Sequence, residues 1–70
     1  MMRVSMFHRN GFEEHFDTTE ANAATATERF SHGHPIWIEQ HERQGDVSRM
    51  VAAKFVETSQ VVRLEIRRMN

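Results

Sequence analysis

Residues 36–66, IWIEQHERQGDVSRMVAAKFVETSQVVRLEI, decide the fold, because apolar and polar residues alternate through three successive runs of this stretch. A period of two is typical of a β-strand with one buried face. A turn at Gln44-Gly45 and another at 57–60 would join the runs, about 36–42, 47–56 and 61–69, into an antiparallel sheet. The pairs that these turns predict are Ile38 with Val51, Ile36 with Ala53, Phe55 with Val62, Ala53 with Leu64, and Val51 with Ile66. One face is then apolar throughout, which a one-residue slip would destroy.

The N-terminal segment predicts a β-hairpin. Residues 2–9 form its first strand, and Asn10-Gly11 is a strong turn signal because both residues tolerate a positive φ. A two-residue loop would place Val4 beside polar residues. A three-residue loop, 9–11, instead pairs Val4 with Phe16 and His8 with Phe12, and we favour it because it separates apolar from polar side chains.

Residues 17–31 are predicted as the one helix. Asp17 is a suitable N-cap, and Glu20 follows three residues later, as in a capping box. Gly33 and Pro35 end the helix. The residues of its narrow apolar stripe are Ala23, Ala26, Thr27 and Phe30. Such small side chains allow a helix to lie close to a sheet.

The predicted fold is α+β, with a single helix packed on one face of an antiparallel sheet and the order β-β-α-β-β-β. The helix would cover the apolar face formed by Ile36, Ile38, Val51, Ala53, Phe55, Val62, Leu64 and Ile66. Whether the first hairpin joins this sheet stays open at the level of sequence.

Size and composition limit the function classes. The chain has 70 residues, a net charge of −1 and no cysteine. We expect one small domain, 1–70, whose core is only just sufficient, so that homodimerisation is one route to further burial. The absence of cysteine favours the cytoplasm. No apolar run approaches the roughly 20 residues that span a bilayer, so no membrane association is expected.

The opposite face of the predicted sheet is the candidate site. It carries the only tryptophan of the chain, and Trp, Met and Arg are enriched at the centres of protein interfaces. The predicted partner-binding residues are Trp37, Met50, Lys54, Arg63 and Arg67. The alternative is a solvated face on which Trp37 and the stems of the charged side chains cover the sheet.

Two other kinds of site are disfavoured. Five histidines suggest a metal site, but His34 and His41 lie seven residues apart on one strand, roughly 23 Å at about 3.3 Å per residue. His32 and His34 alone are an incomplete ligand set. No nucleophile elbow or glycine-rich phosphate loop occurs. We therefore expect no catalytic residues, no metal and no cofactor.

Nucleic-acid binding is the alternative function. Lys54, Arg63 and Arg67 would surround Trp37, and basic residues around an exposed aromatic ring can follow a phosphate backbone while the ring stacks on a base. Interspersed glutamates and a pI of about 6.5 disfavour it.

The run FDTTEANAATATERFSHGHPIWIEQ, residues 16–40, is a capped, alanine-rich helix that leads through Gly-His-Pro into a strand. In this layout it resembles short proteins of phages and other mobile elements, including small anti-CRISPR proteins. The resemblance implies a stand-alone accessory protein or inhibitor that binds a surface of a host protein or nucleoprotein complex. We therefore expect a non-enzymatic protein-interaction module.

Overall fold

The architecture is that of a computed structural model, which describes residues 1–69. Its elements are β1 (Met2–His8), β2 (Glu13–Thr18), α1 (Glu20–Ser31), β3 (Ile36–Gln44), β4 (Val47–Val56), a 3-10 turn (Thr58–Gln60) and β5 (Val61–Arg68). The α+β class and the order β-β-α-β-β-β confirm the prediction.

The strands form two antiparallel sheets. β1 is the central strand of a sheet of order β2-β1-β5, and β3 pairs with β4. The predicted pairing of β4 with β5 is therefore wrong. The predicted pairs that do not form are Phe55 with Val62, Ala53 with Leu64, and Val51 with Ile66. Instead, β5 sets Leu64 opposite Met6 and Ile66 opposite Val4, so the N-terminal hairpin supplies two of the three strands of the larger sheet.

The N-terminal hairpin has the predicted three-residue loop. Val4 lies opposite Phe16, and the His8 amide donates a hydrogen bond to the Phe12 carbonyl at 2.8 Å. Gly11 takes the left-handed conformation, with φ 88°. The apolar residues of β1 and β2 consequently share one face.

The helix begins later than the sequence predicts. Thr19 is the N-cap, and its Oγ1 accepts a hydrogen bond from the Asn22 amide at 3.2 Å. Asp17 belongs to β2, where Arg3 lies opposite it and donates to both carboxylate oxygens, at 2.9 and 3.4 Å. A bidentate, charge-assisted pair is stronger than a single capping bond, which explains why the predicted cap and capping box are wrong.

The helix ends as predicted. The Gly33 amide donates to the Phe30 carbonyl at 3.2 Å, and the His34 amide donates to the Arg29 carbonyl at 2.9 Å. These two bonds form a Schellman motif, which needs a left-handed residue, and Gly33 has φ 72°.

The β3–β4 hairpin differs from prediction in turn and register. Gln44 lies opposite Val47, so the loop residues are Gly45 and Asp46. The φ of Gly45 is 62°, and that of Asp46 is not positive, as in a type II′ turn. The loop therefore lies one residue later than predicted, and this alone changes which residues of the two strands lie opposite each other.

The register along most of this hairpin is displaced by three residues, since Ile38 lies opposite Lys54 instead of Val51. An odd displacement turns every side chain of one strand to the other face. Phe55 consequently shares a face with Trp37, and Lys54 shares a face with Ile38.

A β-bulge interrupts β4. Gln40 lies opposite Ala52 and His41 opposite Met50, which leaves Val51 as the extra residue. A bulge bends and twists its strand.

The core lies between the larger sheet, α1 and the start of β3. Its buried apolar residues are Val4, Met6, Phe16, Ala23, Ala26, Ile36, Ile38 and Val61, and Met2, Phe30, Val56 and Leu64 pack against them. No residue of β4 is fully buried. The predicted core positions Val51, Ala53 and Phe55 are exposed, because β4 does not join the larger sheet. Two predicted core residues of β5 are also exposed: Val62 is the extra residue of a bulge opposite Phe7 and His8, and Ile66 lies on the edge strand of the larger sheet.

Candidate functional site

β4 is the most exposed strand of the fold. Its residues from Val47 to Phe55 are all exposed, on both faces, and Val56 is half-buried. β3 lies along one edge of β4, and among residues 1–69 no strand pairs with the other edge. The outward N–H and C=O groups of that edge are therefore available to a further strand.

Large apolar side chains are exposed along the same hairpin. We call the following residues the hairpin surface: Trp37, Met50, Val51 and Phe55. Val47 is also exposed, but it lies opposite Gln44 on the other face of the hairpin. Trp37 and Phe55 lie opposite each other, and their rings meet edge to face with centroids 4.8 Å apart. Phe55 is 68% exposed and Trp37 38% exposed. Aromatic pairs of this kind are typical of interface centres.

Glu39 fixes the orientation of Trp37. One oxygen of its carboxylate accepts from Trp37 Nε1 at 2.8 Å, and the other accepts from His41 Nε2 at 2.9 Å and from Asn22 Nδ2 at 2.9 Å. The bond from His41, followed by that from Trp37, lowers the pKa of the Glu39 carboxyl against a smaller opposing effect of burial. The carboxylate is therefore ionised and acts as an acceptor only.

The same geometry defines the proton position on His41. Because the Glu39 carboxylate only accepts, Nε2 of His41 carries the proton. Asn22 then donates its two amide protons to Glu39 and to Thr18 Oγ1, the latter at 3.2 Å. Nδ1 of His41 is buried and has no hydrogen-bond partner among the described residues. These hydrogen bonds link the hairpin to α1 and hold the Trp37 ring in one orientation.

Lys54 binds a residue of this chain and links the hairpin to the larger sheet. Its ammonium group forms an ion pair with Glu14 of β2, and His8 Nε2 lies 2.8 Å from the other oxygen of that carboxylate. Burial is the largest single effect on the pKa of Glu14 and raises it, but hydrogen bonds and charge from Lys54 and His8 together lower it. The cluster joins the β3–β4 hairpin to the larger sheet.

The five predicted binding residues do not share a face. Trp37 and Met50 belong to the hairpin surface, whereas Lys54 lies on the Ile38 face of the hairpin. Arg63 and Arg67 lie on the larger sheet, opposite Phe7 and Arg3 of β1. The guanidinium of Arg63 stacks over the Phe7 ring, 4.1 Å from its centroid, and pairs with Glu65. The predicted single Trp/Met/Arg face is thus wrong, because it depended on β4 pairing with β5.

Two residues of the hairpin surface are not among the predicted binding residues. Phe55 and Val51 were assigned to the core, although both are exposed. Their alternation correctly predicts a strand, but alternation alone does not show which face a partner strand leaves open. The sequence does contain one indication of this surface. Its strands carry more apolar residues than a single short helix can cover, so some of them must be exposed or covered by a partner.

Metal-ligating clusters and small-molecule cavities are the next features to compare with the prediction. Within residues 1–69, no group of three or more His, Asp or Glu side chains is placed to hold a metal ion. The apolar cleft between β2 and the hairpin has a volume of about 140 Å³, below the roughly 300 Å³ of small-molecule sites. A wider depression of about 500 Å³ near His32 and His34 is lined by exposed side chains and excludes little water.

No helix in the described residues has the length and apolar character needed to cross a bilayer. Comparison with protein-family models, with curated proteins and with solved structures found no match for this chain. Any functional conclusion therefore comes from the hairpin surface itself.

Proposed function

We propose that the protein is a non-enzymatic interaction module that binds another protein through the hairpin surface. The observation that carries this proposal is the exposed, preorganised Trp37–Phe55 pair on a strand with a free edge. Aromatic side chains held in one rotamer lose little conformational entropy when they bind, so they are effective anchors.

The edge of β4 supports the same proposal. A free strand edge allows a partner to add a strand by main-chain hydrogen bonds, while pockets in the partner receive alternate side chains. Val51 and Phe55 are two such side chains, 43% and 68% exposed. Exposed apolar groups concentrated on one hairpin are costly in water unless a partner covers them.

The test compares the tagged wild-type protein with a Trp37→Ala/Phe55→Ser variant in quantitative affinity capture from a lysate of the native host. We expect a specific protein or complex to be retained by the wild type and lost by the variant. Binding to that purified partner should then shift the fluorescence of Trp37 to shorter wavelength, since the ring becomes buried.

Arg67→Glu is the matched control. Arg67 is exposed on the larger sheet and forms no ion pair with the described residues, so this variant should bind as the wild type does. Circular dichroism of all variants checks that they fold. Equal capture by the wild type and the hairpin variant, or loss of binding in Arg67→Glu alone, would refute the proposal.

The finer expectations stay predictions. They are a phage or mobile-element origin, an inhibitory role resembling that of anti-CRISPR proteins, a host nucleoprotein complex as partner, and a cytoplasmic location. Nothing in the structure favours the nucleic-acid alternative, because Arg63 and Arg67 lie on a different sheet from Trp37, and Lys54 is held by Glu14.

A further inference from the structure

We infer that Asn10 is a site of spontaneous modification, at which the loop between β1 and β2 loses a side-chain amide and gains a negative charge. The co-reactant is water, and no enzyme is needed. The loop lies outside the hairpin surface, so this inference stands independently of the proposed function.

The reaction is the attack of a backbone nitrogen on a side-chain carbonyl carbon. Hydroxide takes the proton of the Gly11 amide, and the nitrogen bonds to Cγ of Asn10 to close a five-membered succinimide ring. The bond between Cγ and Nδ2 then breaks, and the amide group leaves as ammonia with a proton from water, which regenerates the hydroxide. Water opens the ring at either of its carbonyls, so the product is aspartate or isoaspartate.

The approach to the reacting atoms is open. Asn10 and Gly11 are both exposed, so water and hydroxide reach them. Gly11 has no side chain to obstruct the attack. A Cβ atom at this position would have no neighbour within 4 Å apart from the adjoining residues, so the rest of the protein does not obstruct it either.

The loop also positions the side chain for the attack. Oδ1 of Asn10 accepts a hydrogen bond from the Phe12 amide at 3.0 Å, which forms an Asx turn. The side chain therefore folds back over the peptide bond that follows it, with Cγ towards the Gly11 nitrogen. The Phe12 amide donates to the oxygen on which negative charge develops in the transition state, as an oxyanion-hole donor does.

The start of the loop is held in one place. The Arg9 amide donates to the Gln60 carbonyl at 2.8 Å, and Nε of Arg9 donates to the Ser59 carbonyl at 2.7 Å. A loop that is held in one conformation keeps the reacting groups together for a larger fraction of the time than a flexible chain does.

One hydrogen bond slows the reaction. The Gly11 amide donates to the His8 carbonyl at 3.0 Å, and this bond must open before hydroxide can take the proton. Exposed loops open locally without unfolding of the core, so the bond delays the modification and does not prevent it.

Asn22 has the opposite arrangement. Its Nδ2 donates to Glu39 Oε1 at 2.9 Å and to Thr18 Oγ1 at 3.2 Å, so the group that would leave is held in place. The following residue, Ala23, is 2% exposed, and its amide donates to the Thr19 carbonyl at 3.0 Å. Hydroxide cannot reach this amide in the folded protein, so Asn22 is an internal control.

The two products differ in their effect on the loop. Aspartate keeps the main chain unchanged, and its carboxylate can still accept from the Phe12 amide. Isoaspartate adds a methylene group to the main chain inside a loop that is closed by the hydrogen bond from the His8 amide to the Phe12 carbonyl at 2.8 Å. The isoaspartyl form therefore weakens the connection of β1 to β2.

The first experiment keeps the folded protein in a series of neutral to mildly alkaline buffers and locates the loss of ammonia by peptide mass spectrometry. We expect loss at Asn10, with a rate that rises about tenfold for each pH unit because hydroxide takes the proton. Gly11→Ala should slow the reaction about tenfold or more, because its methyl group obstructs the attack. Asn10→Gln should leave the loop unmodified over the same time, because a six-membered ring closes far more slowly. Circular dichroism checks that both variants fold.

The second experiment repeats the measurement on the chain unfolded in urea. The rate at Asn10 should agree within about tenfold between the folded and unfolded chains, whereas folding should slow the reaction at Asn22 on the order of a hundredfold. The isoaspartyl form, isolated after incubation, should unfold at a lower urea concentration than the Asn10→Asp variant. An Asn10 amide that is lost only from the unfolded chain, or equal rates at Asn10 and Asn22 in the folded protein, would overturn the inference.

Discussion

Glu39 accepts hydrogen bonds from side chains of two elements, Asn22 of α1 and Trp37 and His41 of β3. Its side chain is 23% exposed, so these bonds lie in a partly dry environment, where bonds to a charge are strong. The exposed indole is consequently held in a defined orientation by a half-buried carboxylate.

Glu39→Gln should lower the free energy of unfolding by about 0.5–1 kcal/mol at neutral pH, because a neutral amide replaces a carboxylate that receives three donors. Chemical denaturation measures this loss. Glu42→Gln is the control, since Glu42 is exposed on the same strand and has no side-chain partner among the described residues. Equal effects of the two substitutions would show that the network around Glu39 contributes nothing specific.

Individual residues also show what the sequence determines. Asn10-Gly11 and Gly33 specify a loop and a helix end through local backbone requirements, and both features match the structure. Asp17 was misassigned because its capping signal is local, whereas its ion pair is with Arg3, fourteen residues away. Non-local partners of this kind are invisible to a local pattern.

At the scale of elements, the strands were predictable but their pairing was not. β4 and β5 are consecutive, and consecutive strands usually pair. In the structure a 3-10 turn separates the two strands, and β5 pairs with β1. Apolar and polar residues alternate in β1, with Val4 and Met6 on the apolar side, just as they do in β4. Several strands with the same period fit each other equally well, so alternation could not choose between them.

The candidate site was predictable in part for the same reason. Trp37 and Met50 lie on the hairpin surface in spite of the wrong register, since they belong to β3 and β4 themselves. Arg63 and Arg67 were predicted to share this surface only because β5 was predicted to pair with β4. Since β5 pairs with β1 instead, the two arginines lie on the other sheet. Phe55 was missed because a three-residue shift exchanged the two faces of β4.

Hydrogen exchange should distinguish the two sheets. β1 is paired on both sides and contributes buried Val4 and Met6, whereas β4 is paired on one side and exposed on both faces. We expect the amides of β1 to exchange slowest and those of β4 fastest among the strands, in dilute protein that is monomeric. Protection of β4 equal to that of β1 under these conditions would contradict the observed topology.

At the scale of the whole molecule, the fold is elongated. Its dimensions are 36 × 21 × 19 Å, and β4 alone is about 33 Å long at roughly 3.3 Å per residue. The accessible surface is 4816 Å², somewhat above the roughly 4,500 Å² typical of a folded monomer of this mass. The hairpin therefore adds surface with little burial, and this agrees with a protein whose hairpin is covered in its working state.

Stability should also depend on pH through the two carboxylates that join the hairpin to the rest of the molecule. The pKa values of Glu14 and Glu39 are lowered in the folded protein. A lowered pKa stabilises the fold above the unfolded value, about 4.3, and this contribution is lost as the pH falls through the folded values. Solvent screening limits the combined loss to about 1 kcal/mol.

Chemical denaturation at a series of pH values measures this loss. The contribution of these two carboxylates to the free energy of unfolding of the wild type should stay constant from neutral pH down to about pH 5. That contribution should be lost below about pH 4. In a Glu14→Gln/Glu39→Gln variant, the curve should be lower at neutral pH and flatter in the acid range, because neither group then titrates. A variant that loses as much stability on acidification as the wild type would show that other carboxylates, and not the attachment of the hairpin, determine its acid sensitivity.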